Sequence, residues 1–207
     1  MRLNASKTKE LLICYSKCPP QIPHITIDGE PIERVHACTL LGIDLNDSLS
    51  WSDHVNKMYK KASKRLYFLS QLRRTKLVSK DIVKVFVSLV RPILEYSCQL
   101  WHAGLNTQQE ELLESIQERA LAMAYPFLSY PDALKEADIS TLVMRREDLC
   151  KRLFAAAQTT THKLHPLLPL PRTITHNQRN AYKYSLPKVK TNRFKNCFIN
   201  NCLFNQW

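Results

Sequence analysis

Between residues 54 and 91 the chain carries eleven lysines and arginines and one acid, Asp81. Charge at that density can fold only if it is kept on one side of an element. Val55, Met58, Tyr59, Ala62, Leu66, Leu69 and Leu72 fall at steps of three and four, and Lys57, Lys60, Lys61 and Lys64 repeat the spacing on the opposite side. The pattern predicts a helix with an apolar face and a lysine face. Ser50 is placed to cap it, with Asp53 answering from the first turn. Ser79 is placed to cap a second helix, whose Ile82, Val83, Phe86, Leu89, Val90, Ile93 and Leu94 give a broader apolar surface kinked at Pro92. The two are expected to pack as a hairpin.

The remaining charge is as uneven. Of a net +12 over 207 residues, 1–53 carry five basic and seven acidic groups, 92–148 four and ten, and 149–207 ten and none. Two basic blocks around an acidic one point to a surface for a polyanion; solvated helix faces with a basic tail are the plainer alternative. Seven cysteines, an odd number, without a secretory signal read as reduced thiols in a cytosolic or nuclear protein that is not secreted. No apolar run approaches the roughly 20 residues of a membrane span. Three glycines and the absence of GxGxxG and GxxxxGK set aside the phosphate-loop nucleotide folds.

Taken in order, Leu11, Leu12, Ile13 and Tyr15 predict a first strand. His24–Ile27 and Ile32–His36 predict a hairpin about Asp28-Gly29, and Thr39–Leu45 a third strand. After Trp101, Thr107-Gln108-Gln109-Glu110 reads as a capping box opening a helix that buries Leu112, Leu113, Ile116, Ala120, Leu121 and Ala124 and stops at Pro126. Glu110, Glu111, Glu114 and Glu118 read as its solvent-facing row. A short helix from Tyr130 to about Ala137 and a longer one capped by Ser140, from Thr141 to about Gln158, follow. The longer one packs through Leu142, Leu149, Leu153, Phe154 and Ala157. From Thr159 the prolines, the polar run 173–180 and the lack of acids predict an extended tail. In it Tyr182, Tyr184, Phe194, Phe198 and Phe204 alternate with lysine and arginine, a combination that either stacks on single-stranded nucleic acid or docks on the parent domain.

The fold class is therefore α+β, mostly α: a small N-terminal antiparallel β-element (1–49), a domain of four or five helices (50–158) and a basic tail (159–207). Cys14, Cys18, Cys197 and Cys202, with His24 or His36, offer zinc-type donors, but neither cysteine pair has the spacing of a standard knuckle, and no metal site is expected.

The order "LLGIDLNDSLSWSDHV", "KKASKRLYFLSQLRR", "VRPILEYSCQLW", preceded by "LNASKTKELLI", resembles the end of the palm and the thumb of reverse transcriptases from non-LTR (LINE-type) retrotransposons. The resemblance covers most of the chain. It implies that Lys7 corresponds to a lysine acting near the leaving pyrophosphate, and that Leu41, Gly42 and Ile43 form a strand like the one that grips a primer end. It implies contacts to an RNA or DNA backbone from Lys57, Lys60, Lys61, Lys64, Arg65, Arg73 and Arg74, and an intact reverse transcriptase as a partner. Polymerase chemistry needs carboxylates around two divalent ions, and no YxDD or FxDD segment occurs. The expectation is a nucleic-acid-binding remnant that is no enzyme on its own and holds no cofactor, with Mg2+ belonging to a catalytic part upstream of a truncated reading frame. "DHVNKMYKKASKRLYFLSQLRR" also resembles the segment defining the N-terminal region of an AlkB-type tRNA-modifying enzyme. The chain lacks the His-x-Asp iron-binding pattern of such dioxygenases, and the alternative reading is a helical protein-interaction module.

Overall fold

A computed structural model describes residues 3–14, 21–172 and 183–205. Tyr15, Cys18, Tyr182 and the run 173–180 lie outside the described residues. The chain divides into two compact units, residues 1–57 and 58–207. It is mostly helical, with two-stranded sheets near the N-terminus.

The first unit holds β1 (Lys9–Leu11), β2 (Thr26–Ile27), β3 (Glu30–Pro31), β4 (Glu33–Val35), β5 (Ala37–Leu40) and β6 (Ile43–Asn46). β2 and β3 form the Asp-Gly hairpin, Asp28 and Gly29 both taking positive φ (52° and 85°) as a tight two-residue turn requires. The second arm does not run on to His36 in that hairpin. It leaves after Ile32, whose N–H donates to the Ile25 carbonyl at 2.9 Å, and β4 pairs in parallel with β1, Lys9 opposite Glu33 and Leu11 opposite Val35. Arg34 explains the exchange. Its Nε and Nη2 grip both carboxylate oxygens of Glu10 on β1 at 3.1 and 3.2 Å, while Nη1 and Nη2 reach the Ile22 and Pro23 carbonyls at 3.1 and 3.0 Å. The Arg34 hydrogen bonds hold the Glu10 carboxyl below its usual range.

The predicted strand Thr39–Leu45 is two strands. β5 turns at Leu41-Gly42 (φ 48° and 83°) and returns as β6, with Leu40 opposite Ile43. The sequence pattern missed the turn because a leucine stands where asparagine or glycine is the usual occupant of a left-handed position.

α1 (Ser52–Arg74) begins in the first unit and continues in the second. The Trp51 carbonyl accepts the Val55 N–H at 2.9 Å, so Ser50 sits one residue ahead of the cap. Its Oγ takes the Ser52 N–H at 3.4 Å, and Asp53 accepts from Asn46 instead of closing a capping box. Val55, Met58, Ala62, Leu66 and Leu69 are buried, as the periodicity predicted.

In the second unit α2 (Ser79–Val85) leads into a π turn (Phe86–Val90) and then α3 (Arg91–Glu95) and α4 (Cys98–Trp101). Pro92 cannot donate, and its ring crowds the preceding turn. The helix widens before it, with the Arg91 N–H reaching the Phe86 carbonyl, so the expected kink is realised as a π turn. Ser79 does not cap α2. Its hydroxyl donates to the Ala124 carbonyl at 2.7 Å, closing the end of the helix that finishes there.

α5 (Thr107–Ala124) packs against α2, α6 (Tyr130–Ala137) and α7 (Leu142–Ala157). Its capping box is one residue earlier than predicted, Asn106 with Gln109, because the asparagine oxygen accepts the Gln109 N–H at 2.9 Å and the Gln109 side chain returns to the Asn106 N–H at 3.0 Å. α7 is likewise capped by Thr141, not Ser140. Leu113, Ile116 and Leu142 are fully buried here, each contributing about 1.5–3 kcal/mol of burial.

Part of the basic C-terminal stretch is folded. α8 (Asn192–Lys195) precedes α9 (Phe198–Phe204), which packs on α7 and α4. Tyr184, Cys202 and Leu203 join Phe154 in one apolar cluster, with Phe198 and Ile199 against it. These rings dock on the helical unit. Phe194 stays exposed.

Candidate nucleic-acid interface

The outer face of α1 follows from its spacing. The residues opposite its buried stripe are Lys57, Lys60, Lys61 and Lys64, and all four are exposed. They are not equivalent. Lys57 Nζ lies 2.6 Å from Asp44 Oδ1 on β6, so the first lysine of the row closes an ion pair within its own unit. Burial pushes the Asp44 carboxyl up, but the Lys57 and Thr39 hydrogen bonds outweigh it and the net displacement is down. His54, buried beside them, accepts the Asp44 N–H at Nδ1, and burial holds it below its ordinary range.

Lys60, Lys61 and Lys64 have no carboxylate within ion-pair distance among the described residues. Arg65 is committed differently: its Nη1 donates to the Leu89 carbonyl at 2.6 Å, joining α1 to the π turn. Arg73 and Arg74 are exposed in the last turn of α1, where cations also complement the helix dipole. Of the seven candidate phosphate contacts, five therefore keep their charged groups turned to solvent, and Lys57 and Arg65 are engaged in the fold.

The other candidates fall elsewhere. Leu41 is 84% exposed at the tip of the β5–β6 hairpin, while Ile43, the first residue of the returning strand, is buried. The three residues carried over as a primer-grip strand thus occupy a turn and its return. Lys7 is exposed at the end of a 3-10 turn, Ala5–Lys7, braced by Thr8 Oγ1 on the Asn4 carbonyl at 2.9 Å. Cys14, Cys197 and Cys202 are free thiols, and among the described residues no three histidine, cysteine or acidic side chains converge as metal ligands.

Two features were missed by the sequence reading. Tyr67 and Phe68 are 63% and 59% exposed, their rings in edge contact at 6.2 Å, on the lysine face of α1. The signal was present: neither falls in the apolar series, so the helical period alone puts both rings among the lysines. The second is a polar centre inside the helical unit. Glu114 is not part of a solvent-facing row; it accepts the Leu142 N–H at 3.1 and 3.0 Å and the Tyr130 hydroxyl. Arg146, fully buried, donates from Nε to His102 Nδ1 at 3.3 Å and lies 5.6 Å over the Trp101 ring. Burial, then the Arg146 charge, hold His102 down at about 4, so at neutral pH it is an uncharged acceptor. Steps of four through Leu142, Arg146, Cys150 and Phe154 set the arginine in an apolar seam, a pattern readable from the sequence.

Among the described residues no helix is long and apolar enough to cross a membrane. No solved structure matches the chain. Residues 51–80 match the family described as alkylated DNA repair protein alkB homolog 8, N-terminal. Over 121 residues the chain is 26% identical to a probable RNA-directed DNA polymerase from transposon X-element of Drosophila melanogaster; the alignment takes in 56% of this chain and 13% of that protein. The chain is thus distantly similar to a small part of a retrotransposon reverse transcriptase.

Proposed function

We propose that this chain is a nucleic-acid-binding module related to the thumb region of LINE-type reverse transcriptases, holding RNA or DNA by its phosphate backbone and carrying out no polymerisation unaided. The observation that carries the reading is the solvent face of α1, where Lys60, Lys61 and Lys64 stand exposed and unpaired among the described residues. Residues 54–91 contain one acid, Asp81, and Lys84 occupies it at 2.8 Å. A surface so arranged releases counterions when phosphates replace them, and each contact adds affinity without reading sequence. The distant similarity to an RNA-directed DNA polymerase supports the same assignment.

The test is the salt dependence of binding to a primer–template duplex. Replacing Lys60, Lys61 and Lys64 by glutamine is expected to reduce the slope of log K against log salt by roughly 2–3, at about 0.9 per lost contact on duplex DNA. Lys57→Gln is expected to change it little, since Asp44 already holds that charge. A chain that ignores nucleic acid in dilute buffer is a protein-interaction module instead, and a slope that survives the triple change would move the phosphate contacts off this face of α1. Unaided nucleotide incorporation would contradict the absence of polymerase chemistry.

A further inference from the structure

We infer that the outer face of α1 grips unpaired bases as well as phosphates, through Tyr67 and Phe68, so that its preferred ligand is a single strand; this rests on the nucleic-acid reading above. The positions make one continuous track. Lys60, Lys64 and Phe68 follow one another at steps of four, and Tyr67, Gln71 and Arg74 continue the same face at steps of three and four. Cations thus stand on both sides of the ring pair, spanning about 21 Å from Lys60 to Arg74 at 1.5 Å per residue.

Aromatic residues are poor helix formers compared with lysine or glutamine, and two adjacent rings in water gain nothing by burial. Tyr67 and Phe68 are each more than half exposed, and their rings meet edge-on instead of stacking face to face on one another. A duplex hides its base faces in the stack, whereas a single strand offers a π-face at every nucleotide. The charge around the rings decides the class of occupant: lysines one turn away, and no acid on α1 beyond Asp53 in its first turn. That environment favours a polyanion over an apolar protein surface.

The experiment measures binding of the full chain by fluorescence anisotropy to three probes of equal length: a base-bearing single strand, the same strand with abasic nucleotides, and a blunt duplex. The expected order is base-bearing tighter than abasic by about five-fold or more, and tighter than duplex. The double variant Tyr67→Leu, Phe68→Leu keeps apolar side chains on the helix and is expected to bind both single strands alike, with its salt slope unchanged. The lysine variants show the opposite signature, a flatter slope with the base-dependent difference retained. Equal binding of abasic and base-bearing strands by the unaltered chain, or an unaltered preference in the ring variant, overturns the inference while leaving the phosphate reading intact. Loss of self-association in the ring variant with oligonucleotide binding unchanged overturns it in favour of a protein-facing surface. Failure to bind any probe overturns both.

Discussion

Removing the Glu114 carboxylate tests whether it is a structural keystone or one of four interchangeable surface acids. In Glu114→Ala the Leu142 N–H at the start of α7 and the Tyr130 hydroxyl on α6 both lose their acceptor. Hydrogen bonds to a charged group are each worth about 1.5–3 kcal/mol, and partial recovery by water brings the expected loss to about 3–4 kcal/mol. That is a large fraction of a typical domain stability of about 5–15 kcal/mol. For a chain of this length it corresponds to a fall in Tm of roughly 6–16 °C. Glu111, exposed three residues earlier on the same helix, is the control, and its alanine variant should stay within about 0.5 kcal/mol of the parent. Urea titration followed by far-UV circular dichroism reads both. A cycle with Tyr130→Phe should return a coupling of about 1–2 kcal/mol, since the hydroxyl and the carboxylate share one bond. Equal midpoints for Glu114→Ala and Glu111→Ala would refute the reasoning, as would a coupling near zero.

Three further outcomes are expected. His102 is held at about 4, chiefly by burial, against 6.5 in the unfolded chain, so the unfolded state takes up the proton first as pH falls; stability is full above about pH 7, is about 2 kcal/mol lower by pH 5, and the decline ends near pH 4. Urea midpoints across that range should show a decline that His102→Gln removes, and a decline of equal size in that variant would count against the assignment. Leu203→Ala should cost about 2–4 kcal/mol through the cavity left beside Phe154 and Tyr184, and limited proteolysis should then cut within 183–205 sooner than in the parent. Leu41→Asn should stabilise the β5–β6 hairpin by about 0.5–1 kcal/mol, because asparagine tolerates the left-handed φ of 48° better than leucine; a lower unfolding midpoint would show that the leucine contributes contacts at the tip.

The helices were legible because their signals are local and repeated. The face of α1, the stop at Pro126 and the short helix from Tyr130 all follow from spacing and backbone chemistry within a few residues. Caps slipped by one residue wherever two polar candidates stood side by side, as at Asn106-Thr107 and Ser140-Thr141, since the choice depends on which side chain the incoming backbone can reach. What could not be read was pairing over distance. Glu10 and Arg34 are 24 positions apart, and nothing near either one announces a parallel pair of strands. The candidate site shows the same division. The lysine row was visible as a pattern, while the removal of Lys57 by Asp44 and of Arg65 by the Leu89 carbonyl needed the fold.

The π turn before Pro92 works as a vernier. Ile82, Phe86, Val90 and Leu94 point into the core at steps of four, and in an ordinary helix three such steps would carry the last side chain about 120° around the axis from the first. The wide turn unwinds that drift by taking up one surplus residue, keeping a single seam inward on both sides of the proline. Excising one residue from 86–90 would leave steps of four, three and four, the ordinary rhythm of an amphipathic helix. Such a shortened chain should keep its helical circular dichroism, yet shift the carbonyl that Arg65 now reaches.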